Sequence, residues 1–143
     1  MNPSFSHRIE VRFRDCDLMG HVNNAVYFTY FEQTRLVAAE TLGLRRTLEP
    51  TGLGLILAHS SCDYLLQVKL GDTVEVKLAV DGVGNSSFAL RYEVRRVRDD
   101  AVVALGKTVQ VVFDYEAGEP VQIPESLRDK LDALITRSPT EPE

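Results

Sequence analysis

Two aspartates, a histidine and two asparagines crowd into ten residues near the N-terminus, DCDLMGHVNN, from Asp15 to Asn24. Asp15 and Asp17 stand at the end of an alternating segment. A short turn carrying Gly20, His21, Asn23 and Asn24 follows. Then comes a stretch without Gly or Pro that runs to Gly43. The pattern reads as strand, acidic loop and helix start. A helix N-terminus carries unpaired backbone N–H groups and a partial positive charge, so it suits an anion or a developing oxyanion. A carboxylate held just before such a terminus can serve as base or nucleophile against an oxyanion site.

The flanking elements must position this loop. Residues Arg8 to Arg14 alternate strictly, with Ile9, Val11 and Phe13 on one side and Arg8, Glu10, Arg12 and Arg14 on the other. That is a strand with one solvated face, and Asp15 and Asp17 at its end are both expected to face solvent. Asn23 or Asn24 suits an N-cap. The helix is expected from about Asn24 to Leu42, stopped by Gly43. Val26, Tyr27, Tyr30, Phe31, Val37, Ala38 and Leu42 give it a wide apolar face, as for a helix wrapped by a sheet. Pro50, Gly52 and Gly54 mark a connection. Leu55 to about Val68 is apolar and alternates poorly, which reads as a strand buried on both faces. Leu70-Gly71-Asp72 reads as a turn. Val74 to Val80 and Phe88 to Val94 alternate, with a break at Gly82 to Ser87, and Val102 to Tyr115 is a long last strand with Gly106 as a possible bulge site. Pro124 opens a short helix ending near Ile135. One strand, one long helix and four further strands with short links imply an α+β domain, an antiparallel sheet with the helix lying across it.

The chain's 143 residues suit one domain, read here as residues 1–136, with 137–143 a polar tail expected to be disordered. Hydrophobic residues make up 44% and the net charge is -5, so no basic footprint invites nucleic acid. No apolar run approaches the roughly 20 residues that span a membrane. Two cysteines, Cys16 and Cys62, without an apolar export signal, point to reduced thiols in the cytoplasm.

Competing chemistries fare worse on spacing. Asp15-x-Asp17-x-x-Gly20 echoes the start of a calcium loop, but Met19 stands where an oxygen ligand belongs and Val26 where the closing Glu belongs. Cys16 lies between two carboxylates, the wrong electrostatics for a thiolate. Asp17 alone can equally be a turn carboxylate that satisfies loop N–H groups. Asp15 reads as structural or electrostatic. Glu32 can pair with Arg35 at i,i+3.

The run Asp17-x-x-Gly20-His21-Val22-Asn23-Asn24-x-x-Tyr27, followed by Tyr30 and Glu32, resembles the signature of the hotdog-fold acyl-CoA thioesterases of the 4-hydroxybenzoyl-CoA thioesterase-like family. The likeness extends from about Ser6 to Leu134, and its specific part is the loop and helix start. It implies a long helix wrapped by a five-stranded antiparallel sheet, protomers that pair edge to edge, and a homodimer or homotetramer. It implies hydrolysis of an acyl-CoA or acyl-carrier-protein thioester, with no cofactor or metal. Asp17 falls at the family's catalytic aspartate, and the backbone N–H near Asn24 at its oxyanion donor, with Gly20 and His21 in the same loop. Asn23, Tyr27 and Glu32 are candidate substrate contacts, Glu32 also as a second-rank base. Ser86, Ser87, Arg91 and Lys107 match regions that line the nucleotide groove of related enzymes; each is equally at home on a solvated face. Asn23-Asn24 replaces the aromatic pair of the benzoyl-specific prototype and is typical of other branches, including long-chain acyl thioesterases. Two rival readings are a hotdog domain that binds acyl thioesters or partner proteins without turnover, and a hydratase on the same fold, whose His and Asp pattern is not assembled here.

Overall fold

The computed structural model describes residues 3–137. Strand β1 (Phe5–Glu10) leads through a 3-10 turn (Phe13–Asp15) and the acidic loop to helix α1 (Val26–Thr41). A short α2 (Leu44–Leu48) follows, then β2 (Gly54–Tyr64), β3 (Thr73–Val83), β4 (Ser87–Arg96), β5 (Ala101–Asp114), a two-residue β6 (Glu119–Pro120) and α3 (Glu125–Arg137). The main sheet runs β1-β3-β4-β5-β2, antiparallel at every pairing, with β6 beside the end of β5. The fold is α+β, a curled antiparallel sheet around α1.

Period-2 alternation decides which face is buried. Val74, Val76 and Leu78 of β3, Phe88, Leu90 and Tyr92 of β4, and Thr108, Gln110 and Val112 of β5 are buried on the inner face. Tyr27, Tyr30, Phe31, Thr34 and Ala38 of α1 press onto that face, and Leu127 and Leu131 of α3 join the core. Phe31, fully buried, stacks on Tyr92 with ring centroids 4.4 Å apart and lies directly over Gly106.

Gly106 is therefore not a bulge. It pairs in regular register with Cys62 and Tyr92, and a Cβ there would run into the Phe31 ring. Overpacking of this kind typically costs 1–3 kcal/mol. Gly106→Ala should lower the urea midpoint by about that free energy; an unchanged midpoint would mean that the ring has room to move.

Four further expectations are corrected. The first strand ends at Glu10, because the Asp15 carboxylate accepts the Arg12 backbone N–H at 2.9 Å and turns the chain; Phe13 ends 84% exposed instead of inward. The second strand ends at Tyr64 and is an edge strand, exposed over most of its length, not one buried on both faces. The link from β2 to β3 is no hairpin: β4 and β5 lie between the two strands, and residues 65–72 run past the acidic loop. Arg137 belongs to α3, while the rest of the expected tail, 138–143, lies outside the described residues. Elsewhere the break near Gly82 is a register shift between Val80 and Gly82, and Gly43 follows α1 at φ 74°, the left-handed conformation expected of a helix stop. No helix of the described residues is long and apolar enough to cross a membrane.

Candidate active site

Asp15 is the anchor. It is 3% exposed, not solvent-facing. Its Oδ2 accepts the Arg12 N–H and, at 2.8 Å, the Tyr30 hydroxyl from the second turn of α1; its Oδ1 accepts Arg12 Nη2 at 3.1 Å. Burial alone would raise its pKa, but the Arg12 N–H, the guanidinium and the Tyr30 hydroxyl outweigh it and hold the carboxyl below its ordinary value. Its carbonyl accepts the Asn23 N–H at 2.9 Å. One residue thus ties the strand end, the far side of the loop and the helix together.

Asp17 closes the loop itself. Its N–H donates to the His21 carbonyl at 2.9 Å, and its carbonyl accepts the Gly20 N–H at 3.0 Å. Gly20 sits at φ 78°, a conformation that favours glycine. Asp17 Oδ1 accepts the Met19 N–H at 2.9 Å and the His21 N–H at 3.4 Å. The turn-carboxylate role is therefore real, but it uses one oxygen: no donor among the described residues reaches Oδ2. Val22 then donates to the Val68 carbonyl at 2.7 Å, which pins the loop to the β2–β3 link.

The helix start follows. Asn23 Oδ1 accepts the Ala25 N–H at 2.9 Å, while Ala25 is the capping residue itself. Asn24 keeps its backbone N–H without an acceptor among the described residues, and its carbonyl accepts the Tyr64 hydroxyl at 2.8 Å. Asp17, His21, Asn24, Tyr27, Tyr64 and Gln67 line one cleft of about 220 Å³. Burial first, with the neighbouring Cys62 and Tyr64 adding, pushes Tyr27 up to about 12, so its hydroxyl stays protonated. Tyr64 and Gln67 escaped the sequence reading. A tyrosine at the end of a strand leading back to the loop is the signal that could have found Tyr64.

The remaining candidates lie apart. Glu32 lines a larger groove along α1, and its expected partner Arg35 instead donates to the Tyr92 hydroxyl at 3.3 Å. Among the described residues Glu32 and Arg35 form no ion pair, because Arg35 is drawn to the Tyr92 hydroxyl, which also bonds Thr108. Arg91 and Lys107 stand opposite each other on the outer face of β4 and β5, with Arg91 paired to Asp81 at 2.9 Å. Ser86 and Ser87 are at the β3–β4 turn. Cys16 is held protonated by partial burial and the two flanking aspartates. Among the described residues no three His, Cys, Asp or Glu side chains gather to hold a metal.

Comparison with known proteins bears on the family and the fold. The family model described as "Thioesterase-like superfamily" matches residues 11–131. An uncharacterized Bacillus subtilis protein, YsmA, is 30% identical over 82% of this chain and 78% of its own. The Arabidopsis thaliana acyl-acyl carrier protein thioesterase ATL3 is 27% identical over 87% of this chain and 66% of its own. A Thermus thermophilus thioesterase crystallised with coenzyme A and Zn superposes with a TM-score of 0.81, at 33% identity, over 95% of this chain and 98% of that one. The match begins one residue past the end of β1 and takes in the acidic loop, α1 and every later strand, so the chain belongs to the thioesterase-like superfamily of the hotdog fold.

Proposed function

We propose that this protein hydrolyses acyl-CoA thioesters, an acyl-carrier-protein thioester being the alternative carrier, with Asp17 as nucleophile or general base. The observation that carries the reading is that two residues lining one cleft each keep an unmatched group, Asp17 its Oδ2 and Asn24 its N–H, among the described residues. A thioester carbonyl between them meets an oxyanion donor at the helix start and a carboxylate at its carbon. As nucleophile, Asp17 forms a mixed anhydride and expels the thiolate, and water then cleaves the anhydride. As base, it takes a proton from the water that attacks the carbonyl directly, and the thiolate leaves with the next step. His21 lines the same cleft and is suited to orient that water. Thiol release from a panel of acyl-CoAs, followed with DTNB, tests the activity. A protein that binds these esters without releasing thiol would be the non-catalytic hotdog domain, the reading favoured by the turn duty of Asp17 Oδ1.

The assembly we propose is a homo-oligomer joined through β2. Its outer edge is unpaired among the described residues, and its inner-face residues Leu55, Leu57 and Tyr64 are 40%, 51% and 41% exposed. Antiparallel pairing of β2 with its copy would bring the Tyr64 end of one protomer beside the Gly54–Leu57 end of the other. The cleft of one protomer then opens toward the α1–β2 groove of its partner. Light scattering at micromolar concentration should give at least twice the monomer mass; a monomer would defeat the assembly. Ser86, Ser87, Arg91 and Lys107 remain our candidates for the nucleotide end of CoA, as donors and cations on the outer face. Two free thiols, Cys16 and Cys62, fit a reducing cytoplasm.

A further inference from the structure

A groove of about 910 Å³ runs between α1 and the inner face of β2. That is near the upper end of small-molecule sites, which typically span about 300–1,000 Å³. Its walls are mostly aliphatic, among them Leu36, Leu48, Leu55 and Leu57. Its carboxylates, Glu32, Glu40 and Glu49, lie on its exposed side, and one polar lining residue is buried instead. Gln110 is 4% exposed, its Nε2 donates to the Phe88 carbonyl at 3.1 Å, and its Oε1 has no partner among the described residues. The Phe88 bond fixes which way the amide faces, so the unmatched atom is an acceptor. A buried acceptor without a donor is costly, and an apolar residue of the same shape would avoid that cost. Leu57, its cross-strand neighbour, is half exposed and free to move aside.

We infer that this groove takes an acyl group bearing a hydroxyl, and that Gln110 recognises the hydroxyl. The inference rests on the thioesterase reading for its substrate. A saturated chain has no donor to offer Oε1, and a carboxylate has none at neutral pH. An ammonium would meet the carboxylates of Glu32, Glu40 and Glu49 on the exposed side but lose its solvation beside the buried Gln110, and an amide would bring a carbonyl that itself needs a donor. A hydroxyl supplies the missing proton with the least new polarity.

The test compares decanoyl-, 3-hydroxydecanoyl- and 10-hydroxydecanoyl-CoA in the wild type and in Gln110→Met. The wild type should favour one hydroxylated ester in kcat/KM by several-fold to about tenfold, the range of one neutral hydrogen bond. Gln110→Met should bring that ratio close to one. Equal kcat/KM for all three esters in the wild type, or a preference that survives Gln110→Met, overturns the inference while leaving the thioesterase reading intact. If the variant does not fold, the wild-type ratio alone decides. If no ester is hydrolysed, the thioesterase reading fails. Thermal shifts with decanoic, 3-hydroxydecanoic and 10-hydroxydecanoic acids then decide the groove. A larger shift from a hydroxylated acid supports Gln110, and equal shifts, as expected if a second copy fills the groove, overturn it.

Discussion

Asp17→Asn is expected to lose thioester turnover by 100-fold or more while keeping the wild-type melting temperature to within a few degrees. The separation follows from the two oxygens of Asp17. Oδ1 accepts the Met19 and His21 N–H groups, and an asparagine carbonyl in the same place accepts both. The loop therefore persists, at a cost of about 1 kcal/mol as charge-assisted bonds become neutral. Oδ2 is the chemically available atom, and an amide nitrogen there neither attacks a carbonyl nor takes a proton from water. The Asn24 N–H is untouched, so a residual rate above the uncatalysed one should survive, as oxyanion donors alone can supply. Thiol release and thermal unfolding measured on one preparation separate the roles. A variant with at least a third of wild-type turnover would sink the catalytic assignment.

The second large effect is on stability. Asp15→Asn should lower the melting temperature by roughly 5–10 °C, from the loss of about 2 kcal/mol in one charged, buried hydrogen-bond set. An asparagine can keep its oxygen toward the Arg12 N–H and Tyr30, but it then aims an NH2 at the Arg12 guanidinium, donor against donor. The pH dependence gives the sign. Because the folded carboxyl lies below its ordinary value of 3.8, its contribution is fully present above that value. It is lost as pH falls through the folded pKa. Asp72, whose burial is likewise outweighed by the Lys69 N–H and Arg98, adds a dependence of the same sign. The wild type should therefore lose stability below about pH 4 more steeply than Asp15→Asn, and the difference between the two curves isolates Asp15. Parallel curves would mean that Asp15 titrates alike in the folded and unfolded chain.

How much of this was legible follows the range of the forces involved. Strands β3 and β4 show in the sequence because one face is buried and the other solvated, which writes a period of two into consecutive residues. Helix α1 shows because its apolar face is broad and Gly43 ends it. The buried position of Asp15 does not show: its partner Tyr30 is fifteen residues away, and nothing local says that the carboxylate turns inward. Phe13 was misplaced for the same reason, since the Arg12–Asp15 bond overrides the alternation. β2 looked doubly buried because Leu55, Leu57 and Tyr64 are apolar, yet within one protomer they stay open. Sequence reports apolar content, not whether the chain or a second molecule covers it. The loop stands out in the sequence because Asp15, Asp17, Gly20 and the paired asparagines directly precede a helix start. Tyr64 and Gln110 were missed because each matters through one contact made across the fold, with Asn24 and with the α1–β2 groove.

Phe31 and Gly106 also constrain how this sequence can change over time. The ring occupies the volume that any side chain at position 106 would need, so the two positions are not independent sites for drift. An alanine at 106 arriving first meets the full-sized ring. The same alanine arriving after Phe31 has shrunk to leucine meets space. The order of substitutions therefore matters, and one direction of travel costs stability. Helix α1, which follows the acidic loop, is seated on that contact, so a lineage that reshapes the seat also shifts the helix against the sheet.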